Sequence, residues 1–467
     1  MKRVKRTALL LCVILILLFR LPMPVSAAEV PVRIAFIDSG ISTKHIDPAH
    51  VDTGKNYVFP EGDTQDRIGH GTATAGMVLG ASDQGVSGIF PDAVAIPLVV
   101  MDQYPTGVVK NGGVEALCEA IYDAVDTFEC RIINISLAIL EDREELRNAV
   151  NYAEAHGAVV VSVVGNDGEE GMTCYPAAYE TVISVGSTAE TVPASFSQRG
   201  ADVLTDGANL IAVTNKNSMM PTIVSGTSYS AARISGVCAK LISAYPGLSP
   251  AEVRQGLFRL AADMLEPGFD VESGWGYVAS NQAIPVPYLD IRTDSWMYSA
   301  ILFVTEQHIM NGVGVAEFAP DAPMVRAMFT TVLYRLAGMP AVNAENSFID
   351  VAEGQYYTDA VRWAAESGIA AGYGNGVFGT NDLITREQLV TLLWRSCGEP
   401  SQDDEALSAY SDTAQISEWA LDAFAWAVGC GLIHGRGDGI LAPQDTATRA
   451  ETAQIIMNFR DEASTGK

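Results

Sequence analysis

Between residues 32 and 245, short apolar runs alternate with longer alanine-rich stretches, and no other feature constrains the fold as strongly. Residues 32–37, 93–100, 132–137, 158–164 and 182–185 are rich in Val and Ile and hold one charge among them, Arg33. Continuous apolarity marks a strand buried on both faces, since a half-exposed strand would alternate. Residues 72–79, 114–127, 144–156 and 228–245 have the length and composition of helices. Strands separated by helices imply a parallel sheet covered on both sides, an α/β architecture. The 260 residues from 28 to 287 are enough for one large core of this kind.

The start of the chain reads differently. Lys2, Arg3, Lys5 and Arg6 precede an apolar run from Thr7 to Phe19, and Pro24-Val25-Ser26-Ala27 follows with small residues. This is the pattern of a secretory leader, residues 1–27, cut after about Ala27. The run is shorter than the roughly 20 residues a spanning helix needs, so no membrane span is expected in the exported chain. The leader carries five positive charges and no negative ones, so the formal charge of −27 becomes −32 for the exported chain. A surface this acidic excludes nucleic acid as the main partner. Six cysteines remain (Cys118, Cys130, Cys174, Cys238, Cys397 and Cys430), too few for a disulfide scaffold, and their pairing is not set by sequence.

Pro285-Val286-Pro287 is a natural linker, because proline fixes φ and withholds a donor. Beyond it lie three related blocks, 288–340, 347–400 and 409–461. Asp290, Asp350 and Asp412 open them; Trp296/Ala300, Tyr356/Ala360 and Trp419/Ala423 follow at a spacing of four. Then come Gly312/Gly314, Gly372/Gly374 and Gly435/Gly437, and an arginine fourteen residues after each first glycine: Arg326, Arg386 and Arg449. The pattern predicts helix, Gly-rich turn and a second helix starting near the arginine, with Thr385 and Thr448 at N-cap positions.

Three short motifs in the first unit carry chemistry. Ile37-Asp38-Ser39-Gly40 ends the first predicted strand, Gly69-His70-Gly71-Thr72 opens a helix, and Gly226-Thr227-Ser228 opens another. Each alone suits a turn. Together they bring Asp, His and Ser to the C-terminal edge of a parallel sheet, where such sheets hold ligands. A serine hydroxyl attacks only when an imidazole takes its proton, and that imidazole needs a buried carboxylate to fix its tautomer. A fourth segment, Val164-Gly165-Asn166-Asp167-Gly168, follows an apolar strand; it is either a turn or the place from which Asn166 donates its amide to an oxyanion.

These motifs resemble those of subtilisin-type serine proteases. The resemblance spans about 32–284 and includes His70-Gly-Thr-Ala-Thr-Ala-Gly76 and Ser225-Gly-Thr-Ser-Tyr-Ser-Ala-Ala-Arg-Ile-Ser-Gly236. It implies a subtilisin-like fold, a catalytic triad of Asp38, His70 and Ser228, and Asn166 as oxyanion donor. It also implies that Asn134, Ser136 and Leu137 pair with an extended protein or peptide substrate. The chain departs from the family at Ala73, Ala138 and Ala232, where His, Gly and Pro are usual. Only ten residues separate Ala27 from Asp38, where family members carry a folding pro-domain. No cofactor is implied; calcium is possible, but no site is assigned. His45 and His50 flank Asp47 in a loop and are read as solvated, not as metal ligands.

The three blocks resemble S-layer homology modules, best at Gly372-Tyr-Gly-Asn-Gly-Val-Phe378 with Ile384-Thr-Arg-Glu387, and at Gly435-Arg-Gly-Asp-Gly439 with Thr448-Arg-Ala-Glu451. That implies an α-rich pseudo-threefold bundle binding secondary cell-wall polysaccharide, with Arg386 and Arg449 as binding residues through their bidentate forks. The alternative role for these arginines is to cap or bridge helices. From Tyr288 onward the net charge is −14, so an anionic polymer must be met by a few placed arginines and not by bulk charge. The expected whole is a secreted, wall-attached serine endopeptidase. Its rival is a non-catalytic surface protein that keeps the protease fold.

Overall fold

A computed structural model describes residues 31–168, 171, 174–402 and 404–465. The predicted leader, 1–27, lies outside them. The described residues divide into two compact units, 31–286 and 287–465.

The first unit is built on an eight-stranded sheet. Its strands are β1 (Arg33–Asp38), β2 (Lys55–Asn56), β3 (Val94–Val99), β4 (Ile132–Ile135), β5 (Val159–Val163), β6 (Ile183–Ala189), β7 (Val192–Pro193) and β8 (Val203–Asp206). They run in the order β7-β6-β5-β4-β1-β3-β2, with β8 also beside β6, and all pairs are parallel except β6–β7. The helices are α1 (His70–Leu79), α2 (Gly113–Asp126), α3 (Glu144–Ala155), α4 (Thr227–Ala244) and α5 (Pro250–Leu260). On one face Ala35, Ile37, Ile96, Leu98, Ile133 and Ile135 pack under α2 and α3 through Ile121, Leu146 and Val150. On the other, α4 crosses β4, β5 and β6 and packs against α1. Two-sided coverage is why the strands are apolar throughout.

The predicted strands and helices are all present. The strand read at 182–185 runs on to Ala189 because β8 pairs with it as far as Thr188 and β7 pairs with Thr188 and Ala189, and its buried Ser187 hydroxyl lies 2.9 Å from that of Ser230 on α4. β8 escaped the sequence reading because it is four residues long and ends in Thr-Asp. Each central parallel strand delivers its C-terminal end to one edge, where β1 ends on Asp38 and the segments after β4 and β5 carry Ser136 and Asn166.

The second unit repeats one helix pair three times: α6 (Tyr298–Glu306) with α7 (Arg326–Leu336), α8 (Thr358–Glu366) with α9 (Arg386–Ser396), and α10 (Leu421–Gly429) with α11 (Arg449–Thr465). Each second helix starts on the arginine, as the repeat predicts. Thr385 caps α9 in a reciprocal box with Gln388, and Thr448 exchanges the equivalent bonds with Glu451; Val325, lacking a side-chain acceptor, does neither. Three backbone bonds close a ring: Met324 N–H to Ala447 O at 2.8 Å, Ala447 N–H to Ile384 O at 3.0 Å, and Ile384 N–H to Met324 O at 3.0 Å. One residue from each module thus donates to one neighbour and accepts from the other, a pseudo-threefold arrangement. Phe318, Phe329, Phe378 and Phe424 are fully buried in its core.

Candidate active site

Asp38 is the last residue of β1 and is inaccessible to solvent. Its carboxylate accepts the Ser39 N–H at 2.7 Å and the Thr74 hydroxyl at 3.2 Å. It also accepts the His70 Nδ1–H at 2.7 Å through Oδ1 and 2.9 Å through Oδ2. His70 is the first residue of α1, and its N-cap is Gly69 at φ 103°, a left-handed conformation that a side chain would strain. The imidazole pKa is raised. The negative charge of Asp38 is the largest cause, burial opposes it, and the hydrogen bond to Asp38 and the charge of Asp66 add to it. With Nδ1 bound to the carboxylate, Nε2 remains for a proton transfer.

Ser228 is the second residue of α4, after Gly226 at φ 149° and ψ 154°, a region essentially restricted to glycine. This turn sets Ser228 at a helix N-terminus, where backbone N–H groups lack intrahelical partners. In the resting arrangement the Ser228 hydroxyl donates to the Ser136 carbonyl at 3.4 Å, while the Ser136 hydroxyl donates to the Ser228 carbonyl at 3.3 Å. Asn166 is exposed beyond β5. Its side-chain oxygen accepts the Thr227 N–H at 2.9 Å and the Thr227 hydroxyl at 3.1 Å, which leaves its NH2 group as the end available to a ligand. Asp38, His70, Ser228 and Asn166 therefore gather at one sheet edge.

Asn134 needs correction as a substrate-contacting residue. Its side chain is fully buried on the α4 face of the sheet, where it donates to the Ser136 hydroxyl at 2.9 Å and accepts the Ser235 hydroxyl at 3.0 Å. A strand position facing α4 cannot face solvent as well. Asn134 braces the strand end against the serine helix. Leu137 is half-buried and Ala138 exposed, between Ser136 and the bridge of Ile139 to Tyr175.

Three residues were missed. Asp66 lies outside the quoted motifs; Thr227 and Thr74 lie within them, but their bonds to Asn166 and Asp38 were not read from them. Asp66 had a faint signal: the N-cap of α1 is a glycine with no side chain, so the helix needs an acceptor from elsewhere.

Arg386 and Arg449 are 4% and 6% exposed, and Arg326 is 7% exposed. Arg386 Nε donates to Leu441 O at 2.8 Å and its Nη1 lies 3.2 Å from Glu451. Arg449 donates to Phe318 O at 2.8 Å and Asn311 O at 2.7 Å, and Arg326 to Ala371 O at 2.8 Å. Each arginine thus reaches the loop of the next module around the ring. Among the described residues, no group of three or more His, Cys, Asp or Glu side chains is placed to hold a metal, and no helix is long and apolar enough to cross a membrane. His45 contacts Asp83 at 2.7 Å and His50 the Ala93 carbonyl at 3.1 Å.

The subtilase family profile matches residues 31–276, and the S-layer homology domain profile matches 347–390 and 409–453. Subtilisin DY of Bacillus licheniformis is 32% identical over 240 residues, covering 50% of this chain and 84% of that protein. The Minor extracellular protease Epr of Bacillus subtilis is 31% identical over 252 residues, covering 53% of this chain and 37% of that protein. An Amylopullulanase of Thermoanaerobacterium thermosulfurigenes is 31% identical over 177 residues, 37% of this chain. The match spans 9% of that enzyme, and a match to an Exoglucanase XynX of Acetivibrio thermocellus spans 17% of it. The match over more than half its length shows that the chain belongs to the subtilase family.

Proposed function

We propose that this chain is a secreted serine endopeptidase held at the bacterial cell surface. The observation that carries the reading is the buried Asp38 bonded to His70 at 2.7 Å on the edge that also bears Ser228. Ser228 turns from Ser136 toward His70 Nε2, loses its proton to it and attacks a peptide carbonyl. Asp38 holds the Nδ1–H and stabilises the imidazolium. Asn166 Nδ2 and the Ser228 N–H donate to the oxyanion. The imidazolium then protonates the leaving amine, and water hydrolyses the acyl-enzyme by the same path in reverse. The backbone of Leu137 and Ala138 offers an extended substrate an edge to pair with.

The test is turnover of an unfolded protein substrate by the full chain and by Ser228→Ala. The wild type should cleave and the variant fall to background; equal cleavage by both would remove the assignment.

For the second unit we propose attachment to anionic secondary cell-wall polysaccharide. Arg449 supports it, because its hydrogen bonds go to carbonyl oxygens and not to a carboxylate. Arg386 faces Glu451 and is the weaker candidate. Binding of the full chain to purified sacculi should weaken in Arg449→Gln more than in Arg386→Gln, with folding checked by circular dichroism. Wild-type binding by both variants would contradict this assignment.

A further inference from the structure

Asp66 is a second buried carboxylate beside the catalytic pair, 6% exposed. Five donors converge on its two oxygens. Oδ1 accepts the Ser39 hydroxyl at 2.9 Å, the Ile68 N–H at 2.9 Å and the Gly69 N–H at 2.7 Å. Oδ2 accepts the Thr72 N–H at 2.8 Å and the Thr72 hydroxyl at 2.6 Å. Thr72 is the third residue of α1, so Asp66 performs the capping that Gly69 cannot. The Ser39 hydroxyl in turn accepts the Gly71 N–H at 2.9 Å, and the Ser39 N–H is bonded to Asp38. The two backbones are in near contact: a Cβ on Gly71 would lie 2.2 Å from the Gly40 carbonyl oxygen. One carboxylate therefore ties the strand end that carries Asp38 to the helix start that carries His70.

We propose that Asp66 is a positioning residue of the catalytic pair, its ionised carboxylate fixing Asp38 and His70 against each other through Ser39 and the first turn of α1. The inference rests on the triad reading. An amide at this position would present N–H groups to donors, so only the carboxylate satisfies all five partners. Burial raises the pKa of Asp66, bonds from Gly69 and Thr72 oppose it, and the charge of Asp38 adds to the rise. Two carboxylates face the imidazole, Asp38 from β1 and Asp66 from the loop before α1. Arg67 is turned toward Asp63 and Asp102, and Lys44 toward the Asn215 carbonyl; from α4 comes the Tyr229 ring, 5.6 Å from that of His70.

The experiment compares full-length wild type, Asp66→Asn and Ser39→Ala in kcat, KM, thermal unfolding and the pH profile of kcat/KM. Asp66→Asn should lower kcat by about 10- to 100-fold with KM within about twofold, as expected for misplaced catalytic groups. Its acid limb should move to lower pH, because removing a negative charge near His70 makes the imidazole easier to deprotonate. A helix cap alone would not move that limb. Ser39→Ala keeps the Asp66 bonds to Gly69 and Thr72 and cuts the two bonds through the Ser39 hydroxyl that join the strand to Asp66 and Gly71, so kcat should fall by roughly 3- to 10-fold with the limb unmoved. A folded Asp66→Asn with wild-type kcat and acid limb would overturn the proposal. Should that variant fail to fold, wild-type kcat in Ser39→Ala would do so. A folded wild type inert toward a fluorophosphonate would instead remove the triad reading, and this inference with it.

Discussion

In the first unit two carboxylates, Asp38 and Asp66, are 0% and 6% exposed beside a single imidazole; in the second, three guanidinium groups, Arg326, Arg386 and Arg449, are 4–7% exposed against neighbouring loops. Burying a charge is costly, so both arrangements need partners that offset the loss of water. The partners differ in kind. On the proposed mechanism the carboxylates face a group that gains and loses a proton during turnover, and their field sets how readily it does so. The arginines meet carbonyl oxygens that do not titrate, joined at Arg386 by the Glu451 carboxylate, and arginine keeps its proton. On that mechanism buried charge in the first unit tunes chemistry. In the second it fixes which module meets which, with Arg449 joining the third module to the first across 138 positions of sequence.

That comparison is broken most severely by Asp38→Asn. It removes the field at His70 while keeping the shape, and kcat should fall by about 10⁴-fold with the unfolding temperature little changed. A loss below about tenfold would mean that His70 does not depend on the carboxylate.

Next in size is Asn166→Ala. Losing one oxyanion donor costs about 10²–10³-fold in kcat, a figure whose type example is itself a subtilisin, with KM little affected. Thr227→Val should show part of this loss, because it removes the hydroxyl bond to the Asn166 oxygen and keeps the one from the backbone N–H. Steady-state kinetics on one peptide substrate measures both.

In the second unit, Arg449→Ala leaves the carbonyls of Phe318 and Asn311 without their donor. It should destabilise that unit by about 1–3 kcal/mol while leaving peptidase kcat unchanged. Differential scanning calorimetry and turnover on the same sample check the separation. A fall in kcat would contradict the division of labour.

The smallest expected effect is a pH dependence at Asp350. Burial works to raise this carboxyl's pKa, but N–H groups of Phe378, Thr380 and Gly379 outweigh it and bring it down to about 2. A depressed carboxylate pKa contributes stability above the unfolded value of about 3.8, and this is lost as pH falls toward 2. Asp350→Asn should therefore be less stable than wild type at pH 7, with the gap closing between about pH 4 and pH 2. A gap constant across that range would contradict the cause given.

The α/β class was legible because central strands buried on both faces must be apolar along their whole length. The placing of Asp38, His70 and Ser228 at one sheet edge was legible because each lies within two residues of a glycine at a strand end or helix start; their catalytic roles are part of the proposal. Asp66 and Thr227 were not legible, because their work is to meet groups placed only by folding: the Thr72 N–H for one, the Asn166 amide for the other. Asn134 was misread for a related reason. Ser136 lies at the strand end on the same face, but Asn134, two residues further back, is covered by α4 and bonded to Ser235. In the second unit, the position of each arginine at a helix start followed from the repeat. Its burial did not, because that depends on ring closure between distant modules.

The measurement that bears most directly on the central claim is covalent labelling of the full chain by a fluorophosphonate, with the labelled peptide mapped across a pH series. A single adduct on Ser228 is predicted, forming more slowly as pH falls and His70 becomes protonated. An adduct that survives Ser228→Ala, or a folded wild-type chain that takes up no label at any pH, would contradict the account.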